Sequence, residues 1–225
     1  MISTIIVAAG SGSRMNKSIP KQFLKIKNKS ILEITTSIFE NSELIDNIII
    51  VANKKFFKKT ELEVIKFKKV FKIIPGGKTR QESVFKGLKI LKQLNPSIVL
   101  IHDVARPFIS NILIKKLITK AKEKNSAIPI LKENSTISLS TKNKIEKFLD
   151  RNQVYQHQTP QAFDFKKLFE AYTKFEKNLS DFTDDASIFF ANKNEVYTIE
   201  GEKNNIKITT NEDLLFAKFL YDLKK

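Results

Sequence analysis

The sequence predicts an α/β fold on a mainly parallel, twisted sheet from which a β-hairpin arm projects. Three observations carry this. From Ile2 to Leu131, short β-branched apolar runs alternate with amphipathic stretches of helical length, the pattern of right-handed βαβ units. Several of these runs empty into loops bearing glycine or proline. From Lys132 to Gln161 the pattern gives way to a period-two alternation typical of a hairpin.

In order, the opening strand covers Ile2 to Ala9, a short β-branched run stopped by Gly10, which suits a buried parallel strand better than a helix. It leads into Gly10-Ser11-Gly12-Ser13-Arg14, where bare backbone N–H groups can cradle a phosphate and Arg14 and Lys21 can neutralise it. The same residues also suit an ordinary strand–turn, and the loop spells neither GxGxxG nor GxxxxGK[ST]. Ser30 is placed to cap a helix reaching about Asn41. Asn47 to Ala52 is the second strand, followed by a helix over Lys54 to Phe67. Phe71 to Ile74 is the third, ending in Pro75-Gly76-Gly77-Lys78-Thr79-Arg80 ahead of a helix from Gln81 to Leu94. Ser97 to His102 is the fourth, ending in Asp103-Val104-Ala105-Arg106-Pro107. Ser110 caps a helix to about Lys124, and Ala127 to Leu131 is the fifth strand.

Beyond it, Thr136 to Ser140 and Ile145 to Phe148 flank a Thr141-Lys142-Asn143-Lys144 turn, placing a hairpin arm within residues 132–158. Helices follow over Asp164 to Lys177 and Asp184 to Ala191. Glu195 to Ile199 and Asn205 to Ile208 read as late strands, and Thr210 or Asn211 caps the last helix. With no internal repeat or linker, residues 1–225 read as one domain with an excursion.

Composition narrows the function. With 41% hydrophobic and 28% charged residues the chain is globular in type. The absence of cysteine excludes disulfides and thiolate metal sites. No basic segment followed by an apolar core opens the sequence, and no apolar run is long enough to span a bilayer, so a cytoplasmic location without membrane association is expected. The net charge of +16 raises a nucleic-acid-binding alternative. Its distribution argues otherwise: 36 of the 40 basic residues are lysines scattered along the chain, with no recognition-helix, zinc-finger or aromatic-stacking signature. No nucleic-acid partner is expected. The arginines are Arg14, Arg80, Arg106 and Arg151. Their planar fork recognises phosphate as lysine does not. Three of them lie in loops that a parallel sheet brings to the carboxyl ends of its strands, where ligands bind.

Such a site suits phosphoryl transfer, in which fixed cations and backbone amides stabilise a highly anionic phosphorus; Arg14 and Lys21 fit that role, or are a surface pair on a flexible loop. Gly76-Gly77 with Thr79, Arg80 and Ser83 offers close backbone approach and a hydroxyl for a base edge or ribose, or is a plain strand–helix turn. Asp103 can hold Mg²⁺ bridging phosphates, or cap the Ser110-side loop or pair with Arg106. His102 reads as a packing or orienting residue and His157 as structural. Thr183-Asp184-Asp185 reads first as a helix N-cap with Thr183 spare for a ligand. Arg151 and Gln158-Thr159-Pro160-Gln161 lie on the return of the arm, and spacing does not single out Lys207. No Ser–His constellation or convincing general base is present. A phosphate monoester nucleophile needs none, because with a second pKa of about 6 it is mostly dianionic at neutral pH.

Taken together, VAAGSGSRM, PKQFL, PGGKTRQESV, HDVARPF, LDRNQVYQHQTPQAF, FTDDAS and NIKITT resemble the 2-C-methyl-D-erythritol 4-phosphate cytidylyltransferase family, in order and over the full length. The resemblance implies a Rossmann-like nucleotidyltransferase fold, CTP as co-substrate, Mg²⁺, and release of pyrophosphate. It implies that Arg14 and Lys21 stabilise the transition state and that Arg151 and Lys207 position the attacking phosphate. Ala8, Ala9, Gly10, Gly77 and Ser83 match nucleotide contacts; Asp103, Arg106, Thr136, Thr159 and Thr183 match the sugar-phosphate side. It also implies a homodimer in which the arm hooks the other subunit. A ribitol 5-phosphate cytidylyltransferase is the alternative within the same chemistry. Two departures stand out: the arm reads Ser135-Thr136-Ile137-Ser138 where the family usually shows Asp-Thr-Ile/Leu-Lys, and Lys78 replaces an acidic or polar residue after Gly-Gly.

Overall fold

The computed structural model describes residues 1–10 and 19–223. Strand β1 (Ile2–Ala8) is almost wholly buried. After a 3-10 turn at Lys21–Phe23, the short strands β2 (Lys25–Ile26) and β3 (Lys29–Ser30) pair with each other. Helix α1 (Ile31–Glu40) starts where the Ser30 hydroxyl accepts the Glu33 N–H, satisfying one of the donors a helix start leaves open. Strand β4 (Asn47–Ala52) follows. The expected 54–67 helix is shorter than read, a 3-10 turn at Lys54–Phe56 running into α2 (Phe57–Val64). Strand β5 (Val70–Pro75) and α3 (Arg80–Leu91) come next, with the Thr79 hydroxyl capping α3 through the Glu82 N–H. Strand β6 (Ile98–Asp103) ends on the acidic residue of interest, α4 (Asn111–Lys124) is capped by Ser110 as expected, and β7 is Ser126–Lys132.

The hairpin consists of β8 (Ile137–Thr141) and β9 (Lys144–Leu149), which pair with each other in a two-stranded sheet of their own. Its two turn residues, Lys142 and Asn143, both have positive φ, the geometry that matches strand twist in a tight hairpin. Leu139, Ile145 and Phe148 are each more than half exposed. The chain returns through β10 (Tyr155–His157) and β11 (Gln161–Asp164), then α5 (Phe165–Lys174), α6 (Asp185–Ala191), β12 (Thr198–Glu200) and α7 (Asn211–Leu223).

The main sheet runs β7-β11-β6-β1-β4-β5. The pairs β6-β1, β1-β4 and β4-β5 are parallel. A strand that the sequence reading did not include, β11, inserts antiparallel between β6 and β7. β10 adds antiparallel to β7, and β12 parallel. The stretch at 205–208 is not a strand, although Ile208 N–H donates to the Ala105 carbonyl. The helix read to Lys177 ends at Lys174 and passes into a kinked 3-10 segment, Glu176–Asp181.

Alternation along the central strands builds two apolar layers. Ile6, Ile48, Ile50 and Leu100 pack with Leu32 and Phe39 of α1 and Leu113 and Leu117 of α4. Ile5, Ile49, Val51, Val99 and Ile101 pack with Val84 and Leu88 of α3, Leu168 and Tyr172 of α5 and Phe189 of α6. The result is a three-layer α/β/α sandwich with its strand ends free to carry a site. A smaller cluster, Ile26, Phe108, Leu214 and Ala217 among it, seats α7.

Candidate active site

Beyond the carboxyl ends of β1, β5 and β6 lies a cleft of about 520 Å³, lined by Ala9, Gly10, Lys21, Gly77, Arg80, Ser83, Asp103 and Lys207 among others. Each arrives for a local reason. Ala9 and Gly10 continue β1, and their carbonyls are held from behind: Gln22 Nε2 donates to the carbonyls of Ala8 at 2.9 Å and Gly10 at 3.2 Å, and Asn53 Nδ2 to that of Ala9 at 3.0 Å. Ala8 itself is buried. Lys21 sits on the 3-10 turn that Pro20 initiates, and its Nζ donates to the Ile208 carbonyl at 2.9 Å. The Gly76-Gly77 loop is fixed by α3: Gly77 N–H donates to Ser83 Oγ at 3.0 Å, and Ser83 in turn donates to the Thr79 carbonyl. Gly76 passes so close to the β1 loop that a Cβ there would stand 2.4 Å from Ala9 Cβ.

Asp103 is the one carboxylate among the described residues lining the cleft. Arg80 Nε donates to its Oδ1 at 2.9 Å and Lys207 Nζ lies 2.6 Å from its Oδ2. Burial opposes the charge on Asp103, but the two cations outweigh it and hold the carboxyl well below the usual carboxylate range. Behind it, Asp103 N–H donates to Thr159 Oγ1 at 3.0 Å. His102, fully buried, contacts Thr159 through Nδ1 at 3.2 Å and the Arg106 carbonyl through Nε2 at 3.0 Å. Burial pushes His102 down to about 4, so at neutral pH it is an uncharged orienting residue.

The sequence-derived site residues therefore fall into three groups. Ala9, Gly10, Lys21, Gly77, Ser83, Asp103 and Lys207 line one cleft. Arg106 and Thr159 stand just behind it: Arg106 Nη1 donates to the Asn205 carbonyl at 2.7 Å, and Thr159 is buried under Asp103. Thr183, Thr136 and Arg151 are exposed and are not among the residues that line it; Thr136 and Arg151 stand at the foot of the hairpin, where Arg151 approaches the Asn134 carbonyl at 3.5 Å. Arg14 lies outside the described residues. Asp103 pairs with Arg80 and Lys207; Arg106 is the pairing partner that the sequence offers as an alternative to metal ligation.

Sequence reasoning missed three residues that shape this site. Gln22 and Asn53 are ordinary amides whose value depends on where three carbonyls happen to point. Asp185 was read only as part of a helix cap. The cap is real, but Asp184 supplies it through the Ser187 N–H, leaving Asp185 fully buried against Arg80 and Tyr172. His157, read as structural, is half exposed and bonds Asp184 through Nδ1 at 3.0 Å; that hydrogen bond raises its pKa above the ordinary histidine value.

Among the described residues no group of three or more His, Cys, Asp or Glu side chains could form a metal cage. A single carboxylate at a strand end instead suits Mg²⁺, which keeps several waters and binds through one or two carboxylates and substrate phosphates.

The chain matches a family model, "IspD: 2-C-methyl-D-erythritol 4-phosphate cytidylyltransferase", over residues 2–222. It is similar to the 2-C-methyl-D-erythritol 4-phosphate cytidylyltransferase of Petrotoga mobilis, 45% identical over 99% of both chains. The enzyme of that name from Clostridium acetobutylicum is 42% identical, covering all of this chain and 98% of its own. Among solved structures, the 4-diphosphocytidyl-2C-methyl-D-erythritol synthase of Anaerococcus prevotii superposes with a TM-score of 0.86 at 34% identity, covering 99% of this chain and 96% of its own. Full-length likeness in sequence and fold, around a cleft of phosphate-seeking groups, leads to one conclusion: the chain belongs to the 2-C-methyl-D-erythritol 4-phosphate cytidylyltransferase family of nucleotidyltransferases.

Proposed function

We propose that this cleft transfers CMP from CTP to 2-C-methyl-D-erythritol 4-phosphate by in-line displacement, a step of non-mevalonate isoprenoid precursor biosynthesis. An oxygen of the 4-phosphate forms a bond to the α-phosphorus. The bond from that phosphorus to the α,β-bridging oxygen breaks, and its electron pair leaves with pyrophosphate, giving 4-diphosphocytidyl-2-C-methyl-D-erythritol. The observation that carries the reading is the convergence of Lys21, Lys207, Asp103 and two glycine loops on one cleft at the ends of parallel strands. Ala9, Gly10, Gly77 and Ser83 hold the nucleotide. Lys21, with Arg14, meets the charge that grows at the α-phosphorus, where preorganised donors contribute most. Lys207, 2.6 Å from Asp103 Oδ2, is within side-chain reach of an incoming phosphate and steadies the nucleophile. No general base is needed, since the attacking monoester is already mostly dianionic, and neutral His102 stays behind the site.

Asp103 is the residue that would hold Mg²⁺; when bound, the ion neutralises charge on the triphosphate and the leaving pyrophosphate. Arg106, Thr159 and Thr183 form the acceptor side. Thr136 and Arg151 reach a second copy's cleft in a homodimer joined by the 132–158 arm, a reading supported by their exposure on the arm, outside the residues that line this cleft, and by the exposed Leu139, Ile145 and Phe148. A cytoplasmic location fits water-soluble phosphorylated substrates, and no helix among the described residues is long and apolar enough to cross a membrane. The names of the relatives above favour methylerythritol 4-phosphate over ribitol 5-phosphate. The test is to incubate the chain with CTP, Mg²⁺ and each sugar-alcohol phosphate in turn, and to weigh the products by mass spectrometry. The CDP-methylerythritol mass is expected; a product from ribitol 5-phosphate alone would overturn the acceptor assignment.

A further inference from the structure

Charged side chains run in an unbroken line from the cleft into the core. Lys207 meets Asp103 Oδ2, Arg80 Nε donates to Asp103 Oδ1, Arg80 Nη2 donates to Asp185 Oδ2 at 2.8 Å, and the Tyr172 hydroxyl donates to Asp185 Oδ1 at 2.5 Å. Arg80 is the first residue of α3, Tyr172 belongs to α5 and Asp185 opens α6. Three helices on one face of the sheet thus meet behind a single strand end. Asp185 and Tyr172 are completely buried.

Stability alone is a poor reason for such an arrangement, because well-packed apolar residues usually serve a core as well as buried ion pairs do. Nor is the guanidinium placed to satisfy itself: Arg80 Nη1 is buried without a hydrogen-bond partner, a state that folded proteins seldom tolerate without cause. Its other two nitrogens instead span two carboxylates. A guanidinium is planar and rigid, so anchoring one edge on Asp185 fixes what the other nitrogen can hold. Asp103 needs that hold, being the last residue of β6, where the sheet ladder ends.

We infer that Arg80 and Asp185 are positioning residues for the cytidylyl transfer, acting through Asp103: Asp185 anchors Arg80, and Arg80 fixes Oδ1 so that Oδ2 faces the cleft and Lys207. Tyr172 steadies the buried end. The inference rests on the reaction proposed above.

A double-mutant cycle on the full chain tests it, with Arg80→Lys, Asp103→Asn and the pair assayed by steady-state kinetics. Arg80→Lys keeps the charge but loses the fork that spans both carboxylates. Alone it is expected to lower kcat about 30-fold and to leave KM for CTP within about twofold, while adding less than about a twofold loss to Asp103→Asn. Asp185→Asn should lower kcat in the same sense. If Arg80→Lys does not fold, Tyr172→Phe carries the test: a loss of about threefold that vanishes in the Asp103→Asn background. Losses that multiply, or a folded Arg80→Lys enzyme with wild-type kcat, overturn the relay. A wild-type chain that makes no cytidylylated product would instead overturn the reaction, and the inference with it.

Discussion

Lys21 and His157 show how differently two residues can be read once their surroundings are fixed. Lys21 stands on a turn where the next residue, Gln22, clasps the end of β1, and it lines the cleft together with Asp103 and Lys207 while its Nζ donates to the Ile208 carbonyl. Replacing it with alanine removes one charge-stabilising donor from the developing transition state. Lys21→Ala should therefore lower kcat on the order of 10²–10³-fold, and a near-wild-type rate would remove it from the mechanism. His157 is a linkage case. The hydrogen bond to Asp184 raises its pKa in the folded chain above the unfolded value, so its stabilisation is fully present below the unfolded pKa of about 6.5 and is lost as pH rises through the raised folded value. Because His157 is about half exposed, the pair is worth less than about 1 kcal/mol. His157→Ala should then cost stability at pH 6 and almost nothing at pH 9, read from paired thermal melts. A single NMR titration adds the control: Asp184→Asn, which keeps the helix cap, should return the His157 midpoint towards its ordinary value.

Among the elements, the two glycine loops depend on each other. The β5–α3 loop can lie against the end of β1 because Gly76 has no Cβ to strike Ala9. Gly76→Ala forces the two loops apart, and overpacking of this kind costs about 1–3 kcal/mol. A shift of that size at the nucleotide contacts is expected to raise KM for CTP roughly tenfold or more, measured beside a urea denaturation curve; an unchanged KM would mean that the loops are not coupled. The elements best read from sequence were those with a local cause. Ser30, Ser110 and Asp184 each accept a backbone N–H at a helix start, and β4 ended where its apolar run did. Strand β11 escaped notice because it has four residues, begins with glutamine after a proline and ends on aspartate. Its strand character comes from filling the gap between β6 and β7.

At the scale of the molecule, Thr136 and Arg151 are not among the residues that line the cleft, and the composite site proposed above takes them from a second chain. Lys21→Ala and Arg151→Ala chains, each inactive alone, would then complement when mixed. Heterodimers place both defects in one site and leave the other intact, so about a quarter of wild-type activity should return after random exchange in a twofold dimer. Size-exclusion with differently tagged chains verifies the exchange; exchange without recovery would count against the arm's role.

What the sequence determined by itself was everything with a short-range cause. The α/β alternation, the helix caps, the hairpin turn and the ordered glycine and arginine motifs are all written within a few residues of where they act. The tertiary structure decided what depends on meeting across the chain. It put β11 between β6 and β7, turned Gln22 and Asn53 onto the carbonyls of 8–10, gave Asp103 to Arg80 and Lys207, and sank Asp185 beneath Arg80. Local propensity cannot anticipate such choices, because the energy of a buried charge lies in which partner reaches it.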